Sequence, residues 1–316
     1  MPAVNPALAT RTPHDAARRP GWAAAWVILL VAVTAGAQEL EPRAYSPAPA
    51  GLNFAGVVYS FSSGNVLTDP TLPLEDVSAR LNGATLAYSR TFGLWGRSAS
   101  MAVMTPWVWG TVEGNLFEEH RSVRRSGLAD PRLRLAVNLL GGQAMTPREF
   151  AARPPRTTLG ASLTLVPPFG EYYADKLINL GANRWATKAE LGLSQPVGKW
   201  FLDVYGGVWY FTKNDDFYGG VEREQAPVVA LQLHVAYSFR PGLWMAFDTT
   251  GYRGGRSTVD GVEKDDLQAN SRAGLTLAVP VNRAQSVKLA WSTGATTRLG
   301  TDFDTYSIAW QVRWTD

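Results

Sequence analysis

The chain has no cysteine in 316 residues, which excludes a disulfide framework, a thiolate metal site and a cysteine nucleophile. Charged residues are scarce, 18% of the total, too few for a disordered or coiled-coil chain. No basic tract accompanies the formal charge of +3, so the electrostatic footprint of a nucleic-acid binder is missing. Apart from one segment near the start, nothing approaches the ~20 consecutive apolar residues of a membrane-spanning helix. A phosphate loop ending in Gly-Lys-Ser/Thr is also absent. What the chain does have is tryptophan and glycine, 12 and 30 of them, a mixture that suits a membrane β-barrel.

The exceptional segment is Gly21 to Ala37. It follows Arg18 and Arg19, holds the apolar core WAAAWVILLVAV (22–33) and ends in Ala35-Gly36-Ala37. Basic, apolar and small-residue regions in that order are expected of a secretory signal, cleaved after Ala37; a retained anchor would need a longer apolar core. Of 30 basic and 27 acidic residues, Arg11, Arg18, Arg19 and Asp15 leave with residues 1–37, so the mature chain is near neutral. Residues 38–50 then read as a periplasmic lead-in and 51–316 as the barrel.

From residue 51 onward one theme repeats: 10–14 residues of period-2 alternation, then a turn or loop. Barrel strands need ~9–11 residues each and must close on themselves, because lipid cannot satisfy a free edge. The alternation predicts twelve strands, near 51–61, 77–92, 98–111, 127–139, 156–168, 184–196, 200–213, 227–240, 243–255, 267–281, 285–298 and 303–314. Connections after even-numbered strands are short (93–97, 198–199, 241–242, 282–284), and those after odd-numbered strands are long (62–76, 112–126, 169–183, 214–226, 256–266) with a brief sixth at 299–302. Such alternation is expected of a closed antiparallel outer-membrane barrel with long outer loops, short periplasmic turns and both termini in the periplasm. The 139–155 connection is longer, and Thr146-Pro147-Arg148-Glu149 within it predicts a helical turn. A soluble β-sandwich would use strands of ~5–6 residues.

Alternation also assigns faces. Val287, Leu289 and Trp291 share one face of strand eleven, and Ser286, Lys288, Ala290 and Ser292 the other. Leu133, Leu135 and Val137 oppose Arg132, Arg134, Ala136 and Asn138 in the same way. Arg or Lys facing lipid costs ~2–4 kcal/mol at the midplane, so the charged faces must point inward. The interior candidates are Asp130, Arg132, Arg134, Lys188, Glu190, Asp203, His234, Asp248, Arg272, Lys288, Arg298 and Arg313, seven basic against four acidic with His234 neutral. Twelve strands at ~4.8 Å spacing and ~40° tilt enclose a backbone diameter of roughly 24 Å, which side chains narrow to on the order of 10 Å. Two readings stand side by side: a charge-lined pathway, or charges that pair across the interior and fill it.

Strand seven is anomalous. A lipid face of Leu202, Val204, Val208 and Tyr210 places Asp203, Tyr205, Trp209 and Phe211 inside. Interior rings would make a slide for aromatic solutes, but the preferred reading is that a bulge returns Trp209 and Phe211 to an aromatic girdle. The acidic stretches Asn214-Asp215-Asp216 and 260–266 (DGVEKDD) lack EF-hand spacing, and Asp and Asn beside Gly are ordinary loop-tip chemistry. The mature chain has two histidines, His120 and His234, neither within a serine motif, so an outer-wall hydrolase lacks its constellation. No catalytic residue, cofactor or metal is expected.

Five stretches carry a resemblance: 39–54 (ELEPRAYSPAPAGLNF), 127–141 (GLADPRLRLAVNLLG), 175–196 (DKLINLGANRWATKAELGLSQP), 205–220 (YGGVWYFTKNDDFYGG) and 240–255 (RPGLWMAFDTTGYRGG). Together they resemble a bacterial family of outer-membrane barrels linked to the meta-pathway of phenol degradation and usually labelled transporters. The resemblance spans practically the whole mature chain. It implies a passive outer-membrane channel for hydrophobic or aromatic small molecules, with outer-membrane lipid and the barrel-assembly machinery as partners and no catalytic residues to carry over. The alternative from another class is a structural or surface-interaction barrel with a plugged lumen.

Overall fold

The computed structural model describes residues 40–67, 74–116, 119–176 and 178–316; the expected signal (1–37) and the first two residues of the lead-in lie outside them. Strands dominate: β1 (Leu52–Leu67), β2 (Leu74–Leu94), β3 (Arg97–Leu116), β4 (Glu119–Leu128 and Arg132–Leu140), β5 (Thr158–Val166) and β6 (Ala186–Val197) make the first half. The second half is β7 (Trp200–Phe211), β8 (Val228–Arg240), β9 (Leu243–Gly254), β10 (Gln268–Pro280), β11 (Gln285–Thr296) and β12 (Gly300–Thr315). Each pairs antiparallel with its sequence neighbours, and β12 returns to pair with β1 from Leu52↔Thr315 to Leu67↔Gly300. The result is a closed twelve-strand barrel. Closure leaves no strand edge, which is what a hydrocarbon surrounding demands.

β4 is interrupted at Ala129-Asp130-Pro131, where Pro131 lacks a ladder donor. Only its second part pairs with β5; its first part pairs with the far half of β3. Here the expectation of loops is corrected for the described parts of 62–76 and 112–126; residues 68–73, 117 and 118 of these stretches lie outside the described residues. The alternation carries on through Thr111, Val112 and Val123, so β1 to β4 extend as a paired ribbon past the barrel. The polar composition of these stretches disguised strand, because a two-sided ribbon in water needs no apolar face. At the same end, Asn214–Phe217, Val221–Gln225, Ser257–Val259 and Val262–Glu263 form a small second sheet that ties two long connections together. At the opposite, short-turn end, a helix over Pro147–Ala151 follows Thr146, whose hydroxyl accepts from Glu149 N–H while the Glu149 carboxylate accepts from Thr146 N–H.

The outside of the barrel is an apolar sleeve. Val57, Leu86, Leu135, Leu163, Leu191, Leu233, Phe247, Leu275, Leu289 and Ile308 are all exposed on it. Aromatic pairs mark both margins: Tyr59–Trp109 and Phe169–Trp185 toward the long-loop end, Tyr88–Trp314 and Trp200–Tyr237 toward the turns. A sleeve of aliphatic residues between aromatic girdles is the lipid-facing surface of an outer-membrane barrel.

The described part of the lead-in corrects the expectation made for it. Residues 40–50 do not hang beyond the rim; eight of these eleven are buried. From Leu52 the chain turns back into the barrel and crosses its interior, and we call this segment the strap.

Candidate functional site in the barrel interior

The strap enters beside the ends of β2 and β3. Thr91 donates its hydroxyl to Pro49 O at 2.6 Å, Ser98 donates to Ala48 O at 2.9 Å, and Ala50 N donates to Met145 O at 2.8 Å. Further in, Tyr45 reaches β5 and β6: its hydroxyl donates to Glu190 Oε1 at 2.9 Å and lies 2.8 Å from Ser162 Oγ. Ala44 N donates to the Tyr205 hydroxyl at 3.1 Å, and Arg43 N to Asp203 Oδ2 at 2.9 Å. The Arg43 guanidinium covers Phe201 and faces Trp244. Leu40 lies against Gly274 on β10. The strap therefore spans the interior from β2 and β3 to β10, with three prolines, Pro42, Pro47 and Pro49, stiffening its φ angles.

Register explains why Tyr45 fits. Gly160, Gly192 and Tyr205 are consecutive Cα partners across β5, β6 and β7, so two residues without side chains lie beside one aromatic wall. A Cβ at Gly160 would come within 2.2 Å of the Tyr45 ring and one at Gly192 within 2.1 Å. Glycine inside a strand marks a close approach of this kind. Two residues further along each strand, Ser162 and Glu190 are likewise partners and meet the hydroxyl. The Tyr45 and Tyr205 rings meet edge to face at 5.0 Å, and the Arg134 guanidinium lies 5.1 Å from the Tyr45 centroid.

Glu190 is the hub of the interior charges. Lys188 Nζ lies 2.5 Å from its Oε2, Gln232 donates to the same oxygen at 2.9 Å, and Arg134 approaches Oε1 at 3.9 Å. A second network follows the row Ser194, Asp203, His234, Asp248, which are successive partners from β6 to β9. Ser194 donates to Asp203 Oδ1 at 2.5 Å, His234 Nδ1 lies 2.7 Å from Asp248 Oδ1, and Thr276 donates to Asp248 Oδ2 at 2.7 Å. The hydroxyl here meets the carboxylate, not the imidazole. His234, 1% exposed, meets the Asp248 carboxylate through Nδ1. Arg272, also buried, donates to Phe303 O and Ser292 Oγ, and Lys288 is buried on β11.

Four expectations change. Arg298 is exposed at the long-loop rim, bound to Asp265 and Leu267 O, because β11 ends at Thr296 and no longer fixes its direction. Arg313 sits at the short-turn rim and donates to Arg283 O. Asp130 occupies the break in β4, where its carboxylate accepts from Gly170 N and Ala182 N and so anchors the β5–β6 connection; Arg132 is half-buried beside it. The girdle reading of strand seven fails: β7 pairs with both neighbours without a register shift. Trp209 is inside, 2% exposed, packed with Val228, Ala230 and Tyr252, and Phe211 stacks on it at 8°. Lys188 and Arg184 approach these two rings.

Outside the barrel, the acidic loop residues bind their own chain. Asp215 pairs with Lys213, Asp266 accepts from Ser257, and Asp260 from Glu222 N–H. His120 is exposed at the tip of the ribbon. Burial, with Arg223 nearby, lowers the Arg184 guanidinium in the mouth. The strap is what sequence reasoning missed. Its signal was the pair of inward strand glycines, Gly160 and Gly192, which require something to fill the space beside them.

The family model described as "Putative MetA-pathway of phenol degradation" matches residues 60–310. Among curated proteins nothing matches. Among solved structures, an outer membrane channel from Pseudomonas putida F1 is 20% identical over 87% of this chain and 99% of its own, with a TM-score of 0.72. The translocator domain of the autotransporter NalP from Neisseria meningitidis is 13% identical, over 84% and 89%, with a TM-score of 0.49. A Pseudomonas aeruginosa FadL homologue is 9% identical, over 83% and 89%, at 0.40. The first shares the fold; the other two are too distant to carry an argument.

Proposed function

The chain belongs to the MetA-pathway phenol-degradation family, and from that premise we propose that it is an outer-membrane channel admitting small hydrophobic or aromatic molecules without an energy source. The observation that carries this reading is a closed barrel with a lipid-facing apolar sleeve around an interior crossed by the strap, which polar contacts hold. Hydrogen bonds of this kind have a net worth of about 0.5–1.5 kcal/mol each, and up to about 3 kcal/mol to a charged group. A solute that supplies equivalent contacts exchanges with the strap at little cost. The interior rings Tyr205, Trp209 and Phe211, with Lys188 and Arg184 beside them, suit aromatic solutes.

In this reading residues 1–37 are the export signal and 51–316 the membrane domain, with the turns and both termini on the periplasmic side. The protein has no catalytic role, and its partners are lipid, its solutes and the barrel-assembly machinery. The test is solute uptake by proteoliposomes, comparing the unmodified protein with Tyr45→Ala. Uptake of phenol-sized solutes that rises in the variant supports the channel. A second reading, a scaffold whose interior stays filled, is favoured by the strap itself; it predicts no uptake from either protein.

A further inference from the structure

We propose that the seat of Tyr45 is a binding site for free phenols, occupied in this closed state by the chain's own phenol. The Tyr45 side chain is a para-substituted phenol, and the barrel wall meets each of its parts. The ring fits beside Gly160 and Gly192, where a single methyl would collide with it. Tyr205 presents its ring edge to face at 5.0 Å, and Arg134 brings its guanidinium to 5.1 Å from the ring centroid. The hydroxyl gives its one proton to Glu190 Oε1 at 2.9 Å, which leaves Ser162 Oγ, at 2.8 Å, to donate in return.

That pairing defines the ligand class. A neutral phenol satisfies both partners, and a phenolate has no proton for Glu190 and meets a carboxylate. A benzene ring without the hydroxyl leaves Glu190 Oε1 and Ser162 Oγ without the hydrogen-bond partner they have now, the kind of mismatch a hydrogen-bonding site rejects. Room for a para substituent exists where the Tyr45 Cβ now joins the strap. Entry of a phenol and withdrawal of Tyr45 are one exchange, with no covalent step. The inference rests on the channel reading only for the ligand's route to the seat.

The test is a titration of full-length Tyr45→Gly protein, which lacks the Cβ at the para position, in micelles with 4-fluorophenol, followed by fluorine NMR. Expected is saturable binding, with fluorobenzene about tenfold weaker or more, and loss of binding when Gly192→Ala is added, in protein shown to be folded by heat-modifiability. Equal binding of fluorobenzene, or undiminished binding in the double variant, overturns the proposal. An independent reading keeps Tyr45 in place. A cysteine at Ser46, beside the seat, is labelled faster as 4-fluorophenol rises but not as fluorobenzene rises; labelling that ignores the phenol also overturns it. Uptake by proteoliposomes separates the two ideas. Flux without binding at the seat removes this inference and keeps the channel, whereas binding without flux does the reverse.

Discussion

The amide of Arg43 donates to the Asp203 carboxylate at 2.9 Å while its guanidinium lies 4.1 Å from the Phe201 ring centroid. The wall thus holds the strap's backbone with a charge and its cation with a ring. Replacing Asp203 by Asn keeps the shape and removes the charge. A charged hydrogen bond exceeds a neutral one by about 1–1.5 kcal/mol, and the Asn oxygen still accepts, so Asp203→Asn raises the released population of the strap about five- to tenfold. The labelling rate of a cysteine at Ser46 measures it, and an unchanged rate would mean that Asp203 does not hold the strap.

Glu190 compensates two buried cations, Lys188 at 2.5 Å and Arg134 at 3.9 Å. Breaking a buried pair by removing one partner costs about 3–5 kcal/mol. Glu190→Gln is therefore expected to lower thermal stability and, in a Tyr45→Ala background, to shift the reversal potential in a salt gradient toward anions. A shift toward cations contradicts the arrangement.

Leu289 and Lys288 are neighbours on β11 with opposite surroundings, one on the sleeve and one inside. Leu289→Arg places a cation in lipid at ~2–4 kcal/mol and reduces the heat-modifiable, assembled fraction. Lys288→Leu puts an aliphatic chain in the interior and leaves assembly intact. Equal assembly of the two variants would reverse the face assignment.

The proposed membrane sidedness rests on which end carries the long connections. Asp215 and Lys264 lie at the long-loop end and Lys199 in a short turn. With cysteines at these positions, an impermeant thiol reagent on intact cells labels the first two and spares the third. Labelling of Lys199→Cys alone inverts the orientation. Gly198 and Gly261 are unsuitable, because their φ values of 59° and 74° favour glycine.

The barrel was legible because its physics is local. Inside and outside alternate residue by residue, so Leu289 against Lys288 or Leu135 against Arg134 reveals the face without any knowledge of neighbours. Strand ends were less legible. The ribbon around Val112 and Val123 is polar on both sides and reads as loop, and Arg298 loses its inward direction two residues after β11 stops. Trp209 and Phe211 followed the strand's parity, and an invoked bulge obscured it. The strap was illegible for a different reason: its partners, Asp203, Tyr205 and Glu190, are 145 to 161 residues away, and no periodicity records such contacts. The expected excess of positive charge shrinks accordingly. Arg298 and Arg313 belong to the rims, and the strap brings in Glu41 with Arg43, one charge of each sign.

Six residues, seven Cα–Cα steps, join Tyr45 to the first barrel strand at Leu52, a leash of no more than ~25 Å when fully drawn out. A ring on so short a leash competes for its seat intramolecularly, at an effective concentration set by the length and stiffness of the leash. Any dissolved competitor works against that standing reserve. The leash therefore sets a threshold: dilute solute loses the contest to the resident ring, and concentrated solute wins it. On the exchange proposed above, a passage closed in this way responds to how much solute lies outside and reseals when the supply is spent.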